Sequence, residues 1–170
     1  MLGTGRCGLG SLDEFTLPVR VFLKAYRWRR IDPVPWTPLR KPLAESRLAL
    51  VTSAALTLPD QEPFLDSLGA PGGDSSFREI PVDADPFTLS ESHRSGSFDH
   101  EGLHQDPNLG LPLDRARELV AAGRIGSLNG RHLSFMGSIT APGRLMRDSA
   151  PEAARRLAAD GVDVALLVPV

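Results

Sequence analysis

The sequence predicts an α/β protein built on an open parallel β-sheet. Three observations in its last third support this: a helical pattern from Leu113 to Gly123, the strand-like stretch RHLSFMG that follows, and a second helical pattern leading into apolar residues 162–170. Strands joined by a crossover helix lie parallel in one sheet. The apolar run 47–54 adds an earlier strand, and its lack of alternation is typical of a strand covered on both faces.

The residues before this strand have a different texture. Residues 15–27 place apolar side chains at helical spacing on one face, and the proline-rich stretch 31–42 is incompatible with a helix or a sheet interior. We therefore predict a flexible N-terminus at 1–14, a helix and an extended proline-rich strap at 15–46, and the α/β domain at 47–170.

Residues 55–112 interrupt the regular part of the domain. They are rich in Gly, Pro, Asp and Ser, and their one strand candidate is Phe77–Pro81. A long irregular excursion is unusual in a compact domain, so we interpret 55–112 as a functional insertion.

The last helix and strand have recognisable start and stop residues. Ser149 and Glu152 have the spacing of a capping box, and the helix is expected to end at Gly161. The apolar residues 162–170 are expected to lie inside the sheet, where a parallel strand normally leads into a covering helix. The sequence thus resembles half of a Rossmann- or flavodoxin-like sheet, and we expect it to be truncated at its C-terminus.

Composition excludes several classes of protein. The net charge of −2 and the short basic cluster at 27–30 argue against a nucleic-acid partner. Cys7 is the only cysteine, which excludes an internal disulfide and fits a reducing cytoplasm. No apolar run is long enough to cross a membrane, and there is no signal peptide. We expect a cytoplasmic protein without a membrane partner.

A zinc-protease motif also occurs in the insertion. His100, Glu101 and His104 spell H-E-x-x-H, which binds zinc when both histidines share one face of a stable helix. Gly102 weakens such a helix and Pro107 ends it shortly afterwards. We therefore interpret this stretch as a loop and expect no metal, with a zinc hydrolase as the less favoured alternative.

Candidate binding residues come from two places. Gly137 and Ser138 follow a predicted strand, where ligands of parallel sheets bind and where a glycine lets a ligand approach the backbone. In the insertion, His93 is a candidate proton donor and Arg94 a candidate partner for a substrate carboxylate.

Several segments resemble one known family, the selenoprotein B-type subunits of glycine, sarcosine, betaine and D-proline reductases. The similarity covers about residues 17–170, through PVPWTPLRKPLAESRLALVTSA, GDSSFREIP, SHRSG, DPNLGLPLDRARELVAAGRIGSLN, SFMGSITAPGRL and APEAARRLAADGVDVALLVPV. The resemblance implies an oxidoreductase of amino-acid metabolism that cleaves a small amine-bearing substrate reductively, together with other reductase subunits. It implies a selenol or thiol pair (U-x-x-C or C-x-x-C) directly after LLVPV, and a pyruvoyl group on a partner subunit.

The resemblance leaves the catalytic residues of this chain unassigned. The redox pair is expected after Val170, and our hypothesis is that this residue precedes an in-frame UGA codon for selenocysteine. A fragment or a short paralogue is the alternative, in which case the chain is a non-catalytic binding or assembly module. The chain holds no cofactor of its own, and we expect it to be inactive alone.

The resemblance also marks three positions in the insertion as matching the family pattern, namely His93, Asp106 and Asn108. We take them as candidate substrate-binding residues. The alternative is that Asp106 and Asn108 form an Asx-type turn that starts the next helix, and that His93 is merely solvated.

Overall fold

The structure is a computed structural model that describes residue 12 and residues 15–27, 30–66, 68–96 and 98–170. The chain forms two compact units, residues 1–37 and 38–170. The predicted flexible N-terminus and Cys7 lie outside the described residues, except for Leu12. In the first unit, helix α1 spans Leu17–Ala25 with a proline in its first turn, as the helical spacing predicts, and none of its residues is buried.

The second unit contains a five-stranded sheet centred on β1 (Arg47–Thr52). The parallel strands β6 (Arg131–Phe135) and β7 (Val164–Val168) pair with β1, and β3 (Phe77–Pro81) pairs antiparallel with β6. The short strand β5 (Ser127–Leu128) pairs with the start of β1. The mostly parallel α/β sheet that the sequence predicts is therefore confirmed, with one antiparallel strand that it did not predict.

The two faces of the sheet bury separate clusters, because successive side chains of a strand point to opposite sides. Leu48 and Leu50 of β1 pack with residues of helices α2 (His100–Gln105) and α3 (Leu113–Ala121). Ala49, between them, packs with Leu133 and with helix α4 (Ala150–Ala159). β1 is thus covered on both faces, as its unbroken apolar sequence predicts.

Both β5 and β6 pair with β1, and Asn129 and Gly130 separate these two strands. The hydrogen bonding along this edge of β1 is therefore interrupted. At this point the backbone N–H of Leu50 donates to Nδ1 of His132, 3.1 Å away, instead of to a strand carbonyl. The imidazole is fully buried. It replaces the missing backbone acceptor, as a buried N–H group requires.

The sequence predicts the end of α3 correctly, but it does not predict the start of α4. α3 is followed by Gly123 at a φ of 67°, the left-handed conformation expected of a terminating glycine. The predicted capping box at Ser149 is wrong. A π-helical turn, Leu145–Ser149, runs directly into α4, so Ser149 has helical dihedrals and makes no capping hydrogen bond.

Among the described residues, the last strand lies at an edge of the sheet and its apolar side chains are left uncovered. β7 pairs with β1 over five residues, and no described strand lies on its other edge. Leu166 and Leu167 are 46% and 68% exposed. The apolar sequence of β7 indicates a strand, but it carries no information about how many neighbours the strand has.

The insertion is less irregular than its composition predicts. Besides β3 it contains the antiparallel pair β2 (Leu56–Thr57) and β4 (Ser90–Glu91), and it contains α2. The interpretation of the H-E-x-x-H stretch as a loop is therefore wrong. The Asp99 carboxylate accepts a hydrogen bond from the N–H of Gly102 at 3.0 Å, and this cap starts the short helix. Among the described residues, no helix is long and apolar enough to span a membrane.

Candidate functional site

The carboxyl ends of three strands meet at Ser53. Its backbone N–H donates to the carbonyl of Val168 at 3.1 Å, and its hydroxyl accepts from the N–H of Val170 at 3.0 Å. On the other side, the N–H of Ala55 donates to the carbonyl of Phe135 at 2.9 Å. This carboxyl edge of the sheet is the position where open α/β sheets bind their ligands.

His93 extends from the insertion to this edge. A Cβ atom added to Gly137 would lie 2.9 Å from Nε2 of His93 and 2.9 Å from the carbonyl oxygen of Ser53. The imidazole therefore lies directly against the backbone that follows β6, in space that only a glycine leaves open. Two candidate residues predicted from separate parts of the sequence, His93 and Gly137, are in contact.

The hydrogen bonds of His93 define its tautomer. The N–H of Ser95 donates to its Nδ1 at 3.4 Å, so the neutral ring carries its hydrogen on Nε2. Nε2 has no hydrogen-bond partner, although His93 is only 8% exposed. Burial lowers the pKa of His93 below its ordinary value, against the opposing effect of Glu91. The ring is therefore a neutral donor near neutral pH.

Glu91 lies beneath this histidine, with its side chain only 6% exposed. One carboxylate oxygen accepts the backbone N–H of His93, and the other lies 2.7 Å from Nδ1 of His100. Nε2 of His100 lies 3.0 Å from the carbonyl oxygen of Ser95. Both ring nitrogens of His100 face acceptors, which requires a doubly protonated imidazolium. The Glu91 hydrogen bond raises the pKa of His100 accordingly.

The zinc-protease motif uses its side chains differently. His100 and His104 are both directed toward Glu91, and Glu101 instead accepts a hydrogen bond from Gln105 at 2.9 Å. Within the described ranges, no three His, Cys, Asp or Glu side chains are placed to hold a metal ion.

The other predicted binding residues lie at different positions. Arg94 donates to the carbonyl oxygen of Ala70 at 2.7 Å and so fastens a neighbouring loop. Ser138 follows Gly137 and contributes its carbonyl to the close packing around Gly73. Among the described residues, neither side chain hydrogen-bonds to the ring of His93.

Asp106 and Asn108 form the Asx-type turn that was the alternative reading of their positions. The Asp106 carboxylate accepts from the N–H of Asn108 at 3.0 Å, and the Asn108 side-chain oxygen accepts from the N–H of Asp114 at 3.0 Å. Together they shape the chain into the start of α3.

A second polar cluster lies at the opposite, amino edge of the parallel strands. Arg131 at the start of β6 contacts Glu79 at 3.0 Å and Asp160 at 2.7 Å, and Glu79 also contacts Arg156 at 2.7 Å. These carboxylates hold lowered pKa values: for Glu79 the hydrogen bonds from Arg156 and Arg131 outweigh burial, and for Asp160 Arg131 dominates. The mutual pairing of these charges ties α4 to β3 and β6.

Sequence reasoning did not identify Glu91 or Ser53 as parts of one site. Ser53 falls at the end of the predicted strand 47–54, where ligands of parallel sheets bind, but Glu91 has no sequence signal of its own. The spacing of Glu91 to His93 and His100 has no helical or strand periodicity, so only the folded insertion brings the three side chains together.

The fold places the chain among α/β proteins with a mostly parallel sheet, and comparison with known proteins defines the family. Residues 17–169 match the family described as glycine/sarcosine/betaine reductase selenoprotein B. The chain belongs to this family.

Curated relatives agree with this assignment. The chain is 36% identical over 138 residues to the D-proline reductase subunit gamma of Acetoanaerobium sticklandii, covering 81% of the chain and 54% of that protein. It is 30% identical over 166 residues to the sarcosine reductase complex component B subunit beta of Peptoclostridium acidaminophilum, covering 93% of the chain and 34% of that protein.

A third relative has the same level of similarity. It is the glycine reductase complex component B subunit gamma of Carboxydothermus hydrogenoformans, 30% identical over 140 residues, with coverage of 80% of the chain and 31% of that protein. The chain thus spans about half the length of the first relative and about a third of the other two. No solved structure matches the chain significantly.

Proposed function

We propose that this chain forms the α/β scaffold of a selenoprotein B-type reductase subunit, which acts in the cytoplasm with other reductase subunits. Its reaction is the reductive cleavage of a small amine-bearing substrate at the carboxyl edge of the sheet. The family membership and the names of the relatives as subunits of D-proline, sarcosine and glycine reductases support the reaction class.

One observation supports the location: the buried Nε2 of His93 has no hydrogen-bond partner, and it lies at the edge where β1, β6 and β7 end. A buried donor without a partner costs free energy, so it is expected where a ligand completes the hydrogen bond. In the proposed site Nε2–H donates to an oxygen of the substrate carboxylate, a group that glycine, sarcosine and D-proline share.

Other residues of the chain shape the proposed site around His93. The lack of a side chain at Gly137 leaves room for the imidazole of His93 at this edge, and Ser53 holds the ends of β1 and β7 beside it. The neutral ring of His93 binds the carboxylate without adding a positive charge to the site.

The redox groups that the resemblance implies are part of the proposal. A selenol and a thiol supply two electrons and become joined by a selenium–sulfur bond. Cys7 is the only cysteine in the sequence, so such a pair has to come from residues beyond 170 or from another chain. The pyruvoyl group is proposed to belong to a partner subunit.

The test is the activity of the assembled reductase carrying His93→Ala in this subunit. Loss of one hydrogen bond to a charged oxygen predicts a fall in kcat/KM of about 10- to 100-fold. Glu101→Gln is the control, because the exposed Glu101 belongs to the same insertion and hydrogen-bonds to Gln105 instead. Unchanged kcat/KM in the His93 variant would contradict the proposed site and favour the binding or assembly role.

A further inference from the structure

A continuous set of hydrogen bonds connects Glu91 to the ring of His93. Glu91 contacts Nδ1 of His100, the other nitrogen of His100 contacts the carbonyl of Ser95, and the N–H of Ser95 donates to Nδ1 of His93. The same carboxylate also accepts the backbone N–H of His93, so the contacts lead back to His93 and form a closed set. We call this closed set of contacts the Glu91 circuit.

The circuit is packed as well as hydrogen-bonded. The Phe98 ring lies between the two imidazoles, with centroid distances of 4.6 Å to His93 and 5.0 Å to His100. A buried carboxylate needs charged or hydrogen-bonded partners. The carboxylate of Glu91 has two such partners, the backbone N–H of His93 and the ring of His100. Its position therefore determines where the unpartnered Nε2 of His93 is directed.

We propose that Glu91 is a positioning residue, which holds His93 in the tautomer and orientation that direct Nε2–H to the carboxyl edge. It acts through His100 and Ser95 and does not touch the substrate. The inference rests on the proposed function for its catalytic consequence, but the circuit itself is testable on the 170-residue chain.

Other polar groups also lie near the histidines and the carboxylate of the Glu91 circuit. Asp99 favours the charged form of His100, Arg94 disfavours the charged form of His93, and His104 Nε2 lies 3.8 Å from Glu91. Among these charged groups, Glu91 contacts both His93 and His100. Removal of its charge is therefore expected to lower the pKa of both rings.

The experiment follows the titration of each histidine ring by nitrogen-15 NMR in the full chain. In Glu91→Gln, we expect the His100 midpoint to fall toward the ordinary value of 6.5, because its carboxylate partner is lost. We expect the His93 midpoint to fall further below 6.5, because Glu91 opposes the effect of burial on that ring. Glu101→Gln is the control, because Glu101 is a nearby carboxylate that contacts Gln105 instead. It is expected to leave the His93 midpoint unchanged.

The assembled reductase supplies the second measurement. Misplacement of His93 in Glu91→Gln predicts a fall in kcat/KM of about 10- to 100-fold. If this variant does not fold, His100→Gln carries the test, because it removes the cation and retains the carboxylate. The His93 midpoint should then rise, since the charge of His100 disfavours the charged form of His93.

The two hypotheses fail in different ways. Unmoved midpoints in folded Glu91→Gln overturn the positioning role, whatever the activity. Moved midpoints together with full activity of His93→Ala leave the circuit standing and overturn the proposed function. Moved midpoints with lost activity in both variants support both.

Discussion

Leu50 donates its backbone N–H to the Nδ1 atom of His132, 3.1 Å away, in the centre of the sheet. A side chain thus takes the place of a strand carbonyl at the break between β5 and β6. Burial, and to a lesser degree Arg117, lowers the pKa of His132 to about 4. The ring accepts this hydrogen bond only while it is neutral, so the integrity of the sheet is linked to its protonation.

We predict that folding stability falls as the pH decreases from 6.5 to about 4. His132 has a lower pKa in the folded chain than in the unfolded chain, so the unfolded state binds more protons in this window. The shift corresponds to a loss of about 3 kcal/mol in the free energy of unfolding once both values are passed. Urea unfolding at several pH values measures it.

The control for this prediction is His132→Asn. Its side-chain oxygen can accept the N–H of Leu50 from nearly the same position, but it does not titrate. The variant should lose the share of this pH dependence that His132 contributes, while the smaller share from His93 remains. An unchanged slope would assign the whole effect to other groups.

Gly137→Ala is predicted to destabilise the chain by about 1–3 kcal/mol, as overpacking does. The new methyl group would lie 2.9 Å from both His93 Nε2 and the Ser53 carbonyl oxygen. Gly130→Ala is the matched control, because nothing lies within 4 Å of its added Cβ. Thermal unfolding of both variants decides the matter; equal stabilities would contradict the close contact.

Leu133 and Leu167 provide a test of the edge position of β7. Both residues pair with Val51, but Leu133 is fully buried and Leu167 is 68% exposed. We expect Leu133→Ala to cost about 2–5 kcal/mol of unfolding free energy and Leu167→Ala less than about 1 kcal/mol. Similar losses of unfolding free energy for both variants, measured by denaturant unfolding of the isolated chain, would contradict the edge position of β7.

The assembled reductase is predicted to have a bell-shaped dependence of kcat/KM on pH. On the acid side, His93 takes a second proton on Nδ1 and loses its bond from Ser95; its lowered pKa places this limb below 6.5. On the alkaline side, His100 loses a proton and its contact with Glu91 or Ser95; its raised pKa places this limb above 6.5. His100→Gln should remove the alkaline limb, and a limb that persists would belong to another group.

Apolar patterning predicts the elements that carry most of the core. The helix α3 is predicted because its apolar residues recur at helical spacing, and β1 because its apolar run does not alternate, which is typical of a strand covered on both faces. The order of the strands was less accessible. The apolar run of β7 shows only that it is a strand, and its edge position depends on which strands pair with it.

Two predictions about where helices begin are wrong for local reasons. Ser149 and Glu152 have capping-box spacing, but the π-helical turn before them already satisfies the backbone that a cap would serve. For α2, glycine at position 102 was taken as disruptive, whereas the Asp99 cap stabilises a helix of six residues.

The candidate site was predictable in part. His93 was found through the family resemblance and Gly137 through its place after a strand, and the fold brings them into contact. Glu91 could not be found in this way, since a buried carboxylate is recognised by its partners, and those partners are assembled only when the insertion folds.

His93, Glu91 and His100 all belong to residues 90–105, and none of these residues contributes a strand to the five-stranded sheet. This candidate site is therefore modular with respect to the five-stranded scaffold. An engineer who grafts a different segment between Glu91 and Gln105 could alter the site while the strand registers of the five-stranded sheet remain as they are.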